Sequence, residues 1–234
     1  MMIQNLLQIK LEGWTATPRL PFVLSGNALC LPVPTYSLLL GLVGCCLGRL
    51  VQSHELKIGF RYEFDSTNED IETRQRLEYD GKKVKSHAKG TDAHTREFHA
   101  IPRLTIWLNR LDWEDFFRNP VGTPSLGRSQ DIMKIVEVSI IEAIQVSETT
   151  IAGTMIPFEA SLKVGGQLVR LAEAFEEGDS VGQGRLATAV RMFLAIPPDS
   201  ISKVKISQIF EVSGEQGADY QVKGFYLHTF SNAN

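Results

Sequence analysis

Apolar and polar positions change period several times along the 234 residues. Residues 3 to 11 alternate through Ile3, Leu7, Ile9 and Leu11, the period-two pattern of a half-buried strand, and Gly13 ends the run. From 14 to 35, Pro18, Pro21, Pro32 and Pro34 hold the chain extended, because a proline disfavours helix in the residue before it. Thr35 is placed to cap a helix running to about Leu50, within the most apolar stretch of the chain, YSLLLGLVGCCLGRLV. Gly41, Gly44 and Gly48 share one face of that helix. Glycine costs helix stability, so the spacing predicts close packing against another backbone.

Strands are predicted over 55–64, where IGFRYEF alternates, and over 97–108, with Phe98, Ile101, Leu104, Ile106 and Trp107. Residues 65 to 95 between them are polar with no sustained apolar period, which predicts a long hairpin or a partly disordered excursion. LDWEDFF then reads as a short amphipathic turn, NPVGTPSLGRSQD as a loop and 132–142 as a strand. The last third reads as β. ASLKV and QLVRL form a hairpin about the Gly165–Gly166 centre, and GDSVGQGR is a turn. ATAVRMFLAI is a strand stopped by Pro197 and Pro198, and SKVKISQIFEV and YQVKGFYLHTF flank a turn at GEQGAD. A strand, a helix and then strands are compatible with a ferredoxin-like or RRM-like α+β core.

Composition narrows the class. With 43% hydrophobic and 22% charged residues the chain buries a core, and one elaborated domain accommodates its length. A net charge of −3 excludes a uniformly basic nucleic-acid binder but leaves room for a local basic patch. Cys30, Cys45 and Cys46 form neither a disulfide framework nor a metal-ligand spacing, and read as buried thiols in a reducing cytosol; the expected location is cytoplasmic. The opening MMIQNLLQIKLEGW lacks the marks of a signal peptide, and the apolar run at 36–51 is short for a bilayer span, so no membrane association is expected.

No GxSxG, HExxH, P-loop or GxGxxG motif occurs, and GDSVGQGR lacks the Lys-Ser/Thr of a phosphate loop. His94 and His99 stand five apart, which suits neither a helix face nor one strand face, so no metal or other cofactor is expected. A metal-independent ribonuclease needs a base, a cation and an acid at one point. Tyr36, His87, His94, Lys83 and Lys85 supply those types without any sign that they converge. Arg74, Arg76, Lys82, Lys83, Lys85, Lys89, Arg96 and Arg103 concentrate cations in one segment that would track phosphates, whereas Glu173, Glu176, Glu177 and Asp179 lie far downstream. Two other places suit anions: the helix start at Thr35, Tyr36 and Ser37, and the SLGRS loop with Gly127, Arg128 and Ser129. The candidate RNA-binding residues are therefore Thr35, Tyr36, Ser37, Lys82, Lys83, Lys85, His87, Arg96, Gly127, Arg128 and Ser129.

VPTYSLLLGLVGCCLGRL at 33–50 resembles the proline-then-glycine-spaced first helix of the CRISPR-associated Cas-five family, part of the RAMP group built on RRM-like folds. NPVGTPSLGRSQD at 119–131 is similar to that family's second signature, and REFHAIPRLTIWLNR occupies the expected place between them. The resemblance covers roughly residues 1–145. It implies an RRM-like (ferredoxin-like) RAMP domain over 1–145, with an inserted hairpin thumb at about 65–97, and a β-rich extension over 146–234 packed on the same core. It further implies a non-catalytic subunit of a type I Cascade complex that caps the 5′ handle of the guide crRNA. Its partners would be the large subunit and the first backbone subunit, with target DNA met indirectly through the complex. Some relatives instead process precursor crRNA as metal-independent endoribonucleases, using a tyrosine late in the first helix. Here that place holds Cys45, Cys46, Leu47 and Gly48, a departure that counts against cleavage. A stand-alone RRM-like protein is disfavoured because no aromatic-rich RNP strand occurs.

Overall fold

A computed structural model describes residues 2–21, 27–159, 162–177, 184–213 and 221–231. In chain order its strands are β1 (Ile3–Gly13), β2 (Thr15–Ala16), β3 (Asn27–Ala28), β4 (Lys57–Glu63), β5 (Ser66–Tyr79), β6 (Val84–Ala100), β7 (Arg103–Leu108) and β8 (Met133–Gln145). They continue with β9 (Thr149–Ile151), β10 (Thr154–Pro157), β11 (Gln167–Glu177), β12 (Arg185–Ile196), β13 (Ser202–Val204), β14 (Ile209–Val212) and β15 (Gly224–Thr229). Helix α1 (Tyr36–Leu47) lies between β3 and β4, and the short α2 (Glu114–Arg118) between β7 and β8. The chain is thus mostly β with few helices.

Six strands close a barrel in the order β1-β7-β4-β15-β14-β8. Within it, the elements β1, α1, β4, β7, α2 and β8 follow one another in sequence while their strands stand in space as β8-β1-β7-β4, each neighbouring pair antiparallel. Alternation along β1 divides two cores. Leu7, Ile9 and Leu11 join Leu39, Val43 and Leu47 of α1, whereas Leu6 packs with Trp107, Phe210 and Phe225. Val169, Leu171 and Phe193 from β11 and β12 enter the α1 core, so the C-terminal sheet β10-β12-β11 is fused to the barrel.

Helix α1 starts where expected, with Thr35 Oγ1 accepting from the Leu38 N–H, but it ends at Leu47 rather than Leu50. Gly48 takes a left-handed φ of 69° and its N–H turns back to the Cys45 carbonyl, a conformation that only glycine adopts cheaply. Close packing against backbone is met at Gly44, where an added Cβ would lie 2.8 Å from the Arg49 carbonyl; Gly41 instead faces open space.

Residues 65–95 are a hairpin: β5 and β6 pair from Ser66–Ala100 to Tyr79–Val84, with a register shift between Gln75 and Leu77. The strand predicted over 97–108 is two strands, since Ile101 adopts φ 51° and Pro102 follows, turning β6 into β7. The expected hairpin about Gly165–Gly166 is corrected as well. β11 pairs along its length with β12, and residues 162–166 are an unpaired lead-in to it. The predicted turn at 178–185 lies outside the described residues except for Gly184 and Arg185, and the one at 214–219 lies wholly outside them.

Candidate nucleic-acid interface

The hairpin is not the net-basic segment that its lysines suggest. Over residues 66–100 acidic and basic residues are equal in number. Strand alternation also segregates them. On one face Ile71, Thr73, Gln75, Leu77 and Tyr79 stand opposite Thr95, Ala93, Thr91, Ser86 and Val84, all uncharged. On the other, Arg96 is paired with Glu72, Arg76 with Asp92, and Lys85 lies 3.4 Å from Glu78 and 3.9 Å from Asp80. Arg96 is buried, which corrects its reading as an RNA contact: its guanidinium is consumed in holding the hairpin base. His87 lies 4.0 Å from Glu78. Lys82 and Lys83 sit at the tip and make no ion pair among the described residues.

Tyr36 is likewise corrected. It shares the inward stripe of α1 with Leu39, Leu40, Val43 and Leu47, is 1% exposed and stacks on His228 with ring centroids 4.0 Å apart. Its hydroxyl donates to the Met155 carbonyl, and burial pushes the phenol well above its ordinary range. A phenol so placed lies inside the core and not at the surface. Thr35 and Ser37, joined at 3.0 Å, stay at the surface.

The SLGRS loop is built from the inside. Asp131 is fully buried and accepts hydrogen bonds from Thr15 Oγ1 (2.7 Å), Thr17 Oγ1 (2.5 Å), the Arg128 N–H (2.9 Å) and the Arg128 guanidinium (3.0 and 3.2 Å). Arg128 therefore pins the loop through its backbone N–H, Nε and Nη2. Gly127 passes so close to Thr17 that no Cβ fits, and Ser129 is exposed beside it. At its other end the same segment meets α1: the Val121 and Gly122 N–H groups donate to the Cys46 and Cys45 carbonyls at 3.0 and 3.1 Å. The 119–131 segment thus caps the C-terminus of α1 and clamps the chain after β1.

Burial alone would raise the Asp131 carboxyl, but its bonds to Arg128, Thr17 and Thr15 outweigh that and hold it below the usual carboxylate range. A depressed folded-state pKa contributes stability above the unfolded value of about 3.9 and loses it as pH falls through the folded value. Asp131→Asn should accordingly be less stable at neutral pH and show a flatter acid limb. Urea midpoints measured between about pH 6 and pH 2 check this, and parallel acid limbs would refute it.

Besides Lys82 and Lys83, further cations without ion pairs among the described residues lie elsewhere. A cleft of about 780 Å³ lies between residues 19–21, the start of α1 and the β11–β12 pair, lined by Arg19, Thr35, Ser37, Arg170 and Phe175. A second, of about 390 Å³, shares Ser37 and Phe175 and continues along the glycine face of α1 past Gly41, Gly44 and Gly48 to Arg185. Arg19, Arg170 and Arg185 are exposed and make no ion pair among the described residues, and Phe175 is 42% exposed. α1 itself carries no charged side chain. Three open guanidiniums, an aromatic ring and bare helix backbone make a groove that suits a single strand with splayed bases. Arg19 and Arg170 are far apart in sequence, which is why no local motif announced them.

The opposite face of the sheet is different. There Glu63, Arg103, Glu12 and Lys134 form one row across four strands, and Arg61, Thr105, Lys10 and Glu137 the next. Opposite charges are neighbours, as in Lys10–Glu137 at 2.9 Å, and no row of aromatic rings offers bases a platform. Among the described residues no cluster of three or more His, Cys, Asp or Glu could hold a metal ion. The described cysteines are free thiols, and burial pushes Cys30 and Cys46 up to about 12. Among the described residues no helix is long and apolar enough to cross a membrane.

This architecture, a mostly β barrel with α1 and a fused sheet on one side, is one that CRISPR-associated proteins share. A chain from the structure described as a CRISPR RNA-guided surveillance complex is 16% identical, with 87% of this chain and 91% of that chain covered and a TM-score of 0.50. A CRISPR protein from Archaeoglobus fulgidus is 12% identical over 97% of this chain and 100% of its own, with a TM-score of 0.47. At such identities the likeness is one of fold. No family model matches the sequence, and no curated protein does.

Proposed function

We propose that this chain is a non-catalytic, RNA-binding subunit of a CRISPR effector complex and that it holds a single-stranded part of the guide RNA, the 5′ handle, in the α1 groove. The observation that carries this reading is a pair of adjoining clefts that share Ser37 and Phe175: Arg19 and Arg170 line one, Arg185 and the glycine face of α1 line the other, and none of the three arginines makes an ion pair among the described residues. The order β8-β1-β7-β4 supports a ferredoxin-like, RAMP-type core, and the fold shared with a chain of a surveillance complex points to assembly with other subunits. A Cascade backbone subunit and large subunit are the partners in this reading, and target DNA is met through the complex. The hairpin, uncharged on one face from the Ile71–Thr95 pair to the Tyr79–Val84 pair and carrying compensated charge on the other, suits a protein neighbour better than a phosphate track.

Cleavage is the competing activity. Tyr36 is sealed in the core, Leu47 occupies the end of α1, and His87 and Lys85 share acidic neighbours on the hairpin. A base and acid in productive geometry are typically worth about a hundred- to ten-thousand-fold each, and these groups do not converge. Repeat RNA incubated with the assembled complex without divalent metal should stay intact under single-turnover conditions. Cutting at one site to leave a 2′,3′-cyclic phosphate would replace this reading with that of a processing nuclease.

A further inference from the structure

Alternation along β15 and the residue after it sends Phe225 and Leu227 into one core and Tyr226, His228 and Phe230 to the opposite side. On β11 the same rule turns Val169, Leu171 and Glu173 inward. Two polar side chains thus stand at core positions, His228 at 0% exposure and Glu173 at 1%. They face each other. His228 Nε2 lies 3.5 Å from Glu173 Oε1, and neither ring nitrogen has a hydrogen bond among the described residues. The imidazole stacks on Tyr36 of α1 and is edged by Phe193 of β12 and by Phe230, so it sits in an aromatic cage. A buried polar group without a partner destabilises a fold, and a phenyl ring would fill this cage without that cost.

The carboxylate beside the ring is already committed. Glu173 Oε1 accepts from Arg191 Nη1 at 3.0 Å and Glu173 Oε2 from the Ser231 N–H at 2.7 Å, while Arg191 also donates to Ser231 Oγ at 3.1 Å. Glu173 and Arg191 balance one negative charge with one positive, and together they fasten Ser231 to the β11–β12 pair. The other titratable groups facing the ring are Tyr36 and Tyr226. Burial holds both phenols protonated, and the Tyr36 hydroxyl is spent on the Met155 carbonyl. A proton added to His228 therefore puts a second cation into a buried site whose charges already cancel. To pair with Glu173, the imidazolium would compete with Arg191 for the same oxygen. Burial outweighs the attraction of Glu173 and keeps His228 below the ordinary imidazole range.

We propose that His228 is a proton-operated latch: neutral, it seats β15 between α1 and the β11–β12 sheet, and protonated, it leaves the cage and frees residues 229–231 from Glu173. The direction in pH follows from linkage. A folded-state pKa held below the unfolded value of about 6.5 contributes its full stability above that value, and the contribution is lost as pH falls from there toward the folded one. Between pH 7.5 and 5.5 the open form gains about tenfold on the closed one. The latch is independent of RNA binding.

The test follows the full-length chain, without RNA, by NMR and hydrogen exchange from pH 7.5 to 5.5. The protection factor of the Ser231 amide should fall about tenfold across that interval, while the ring of His228 stays neutral in the closed form. His228→Phe and the smaller His228→Leu should each hold that factor constant to within about threefold. His99, whose burial pushes it down to about 4, lies at the hairpin base bonded to Tyr62; it is present in both variants and cancels in the comparison. If neither variant folds, the ring titration of the unaltered chain decides alone. A His228 ring that titrates near 6.5 with Ser231 still protected would overturn the proposal. So would Ser231 protection that is unchanged over the interval, or an acid response that persists in both variants.

Discussion

Reversing Arg19, Arg170 and Arg185 to glutamate together should lower the affinity of the isolated chain for single-stranded RNA by at least about a hundredfold. Charge-assisted hydrogen bonds contribute about 1.5–3 kcal/mol each, so even partly additive losses from three of them exceed two orders of magnitude. All three side chains are exposed and lack acidic partners among the described residues, so the fold should survive the change. The salt dependence supplies a second reading. Each phosphate contact to a single strand contributes a log–log slope of about 0.7, so neutralising all three to alanine should reduce the slope by about 2. The same reversal at Lys82, Lys83 and Lys85 of the hairpin should matter much less, by under about threefold, because Lys85 is already compensated by Glu78 and Asp80 and none of the three lines the groove. Filter-binding titrations at several salt concentrations separate the two. An RNA affinity governed by the hairpin lysines and indifferent to the arginines would remove the groove from consideration.

Gly127→Ala should cost about 3 kcal/mol or more, which for a chain of this size is a fall in Tm of roughly 6 °C or greater. Gly127 has φ 120°, where L residues are strained, and an added Cβ would lie 2.3 Å from Thr17 Oγ1 and 2.4 Å from the Thr17 carbonyl. The carbonyl belongs to the backbone and the hydroxyl is held by Asp131, so neither yields without breaking the cluster that anchors the 119–131 segment. Gly81 at the hairpin tip is the internal comparison. Its φ of 92° is equally unusual, but nothing lies within 4 Å of its missing Cβ, so Gly81→Ala should cost only the conformational strain of about 1–2 kcal/mol. Thermal melts of the two variants give the contrast. Equal losses would mean that the loop relaxes and that the clamp is loose.

Local chemistry was readable where neighbours in sequence decide it. Thr35 capping α1 and the alternation of β1 follow from residues within a turn or two of each other, whereas the sequence reads Gly48, where the helix stops, as helix interior. The inward phase of Tyr36 was also on the page, since Tyr36, Leu39, Leu40, Val43 and Leu47 fall on one apolar stripe; weighing its hydroxyl above its phase placed it outside. Arg96 illustrates the same error on a strand, where composition suggested a free cation and cross-strand pairing with Glu72 removes it. The groove was not legible, because Arg19, Phe175 and Arg185 meet only after the C-terminal sheet folds back over α1. Nor was the barrel closure, which depends on strands from the two ends of the chain.

The position of β15 has a kinetic consequence. It lies between β4 and β14, with Leu227 opposite Gly59, so an early strand of the barrel waits for one far downstream in the chain. Until then β4 exposes an unpaired edge, and the side of the barrel built from Phe210, Phe225 and Leu227 is missing. Contacts of such long sequence separation form slowly, and half-made barrels with open edges aggregate. Production of this protein should therefore depend on temperature, synthesis rate and chaperone supply far more than its final stability would suggest.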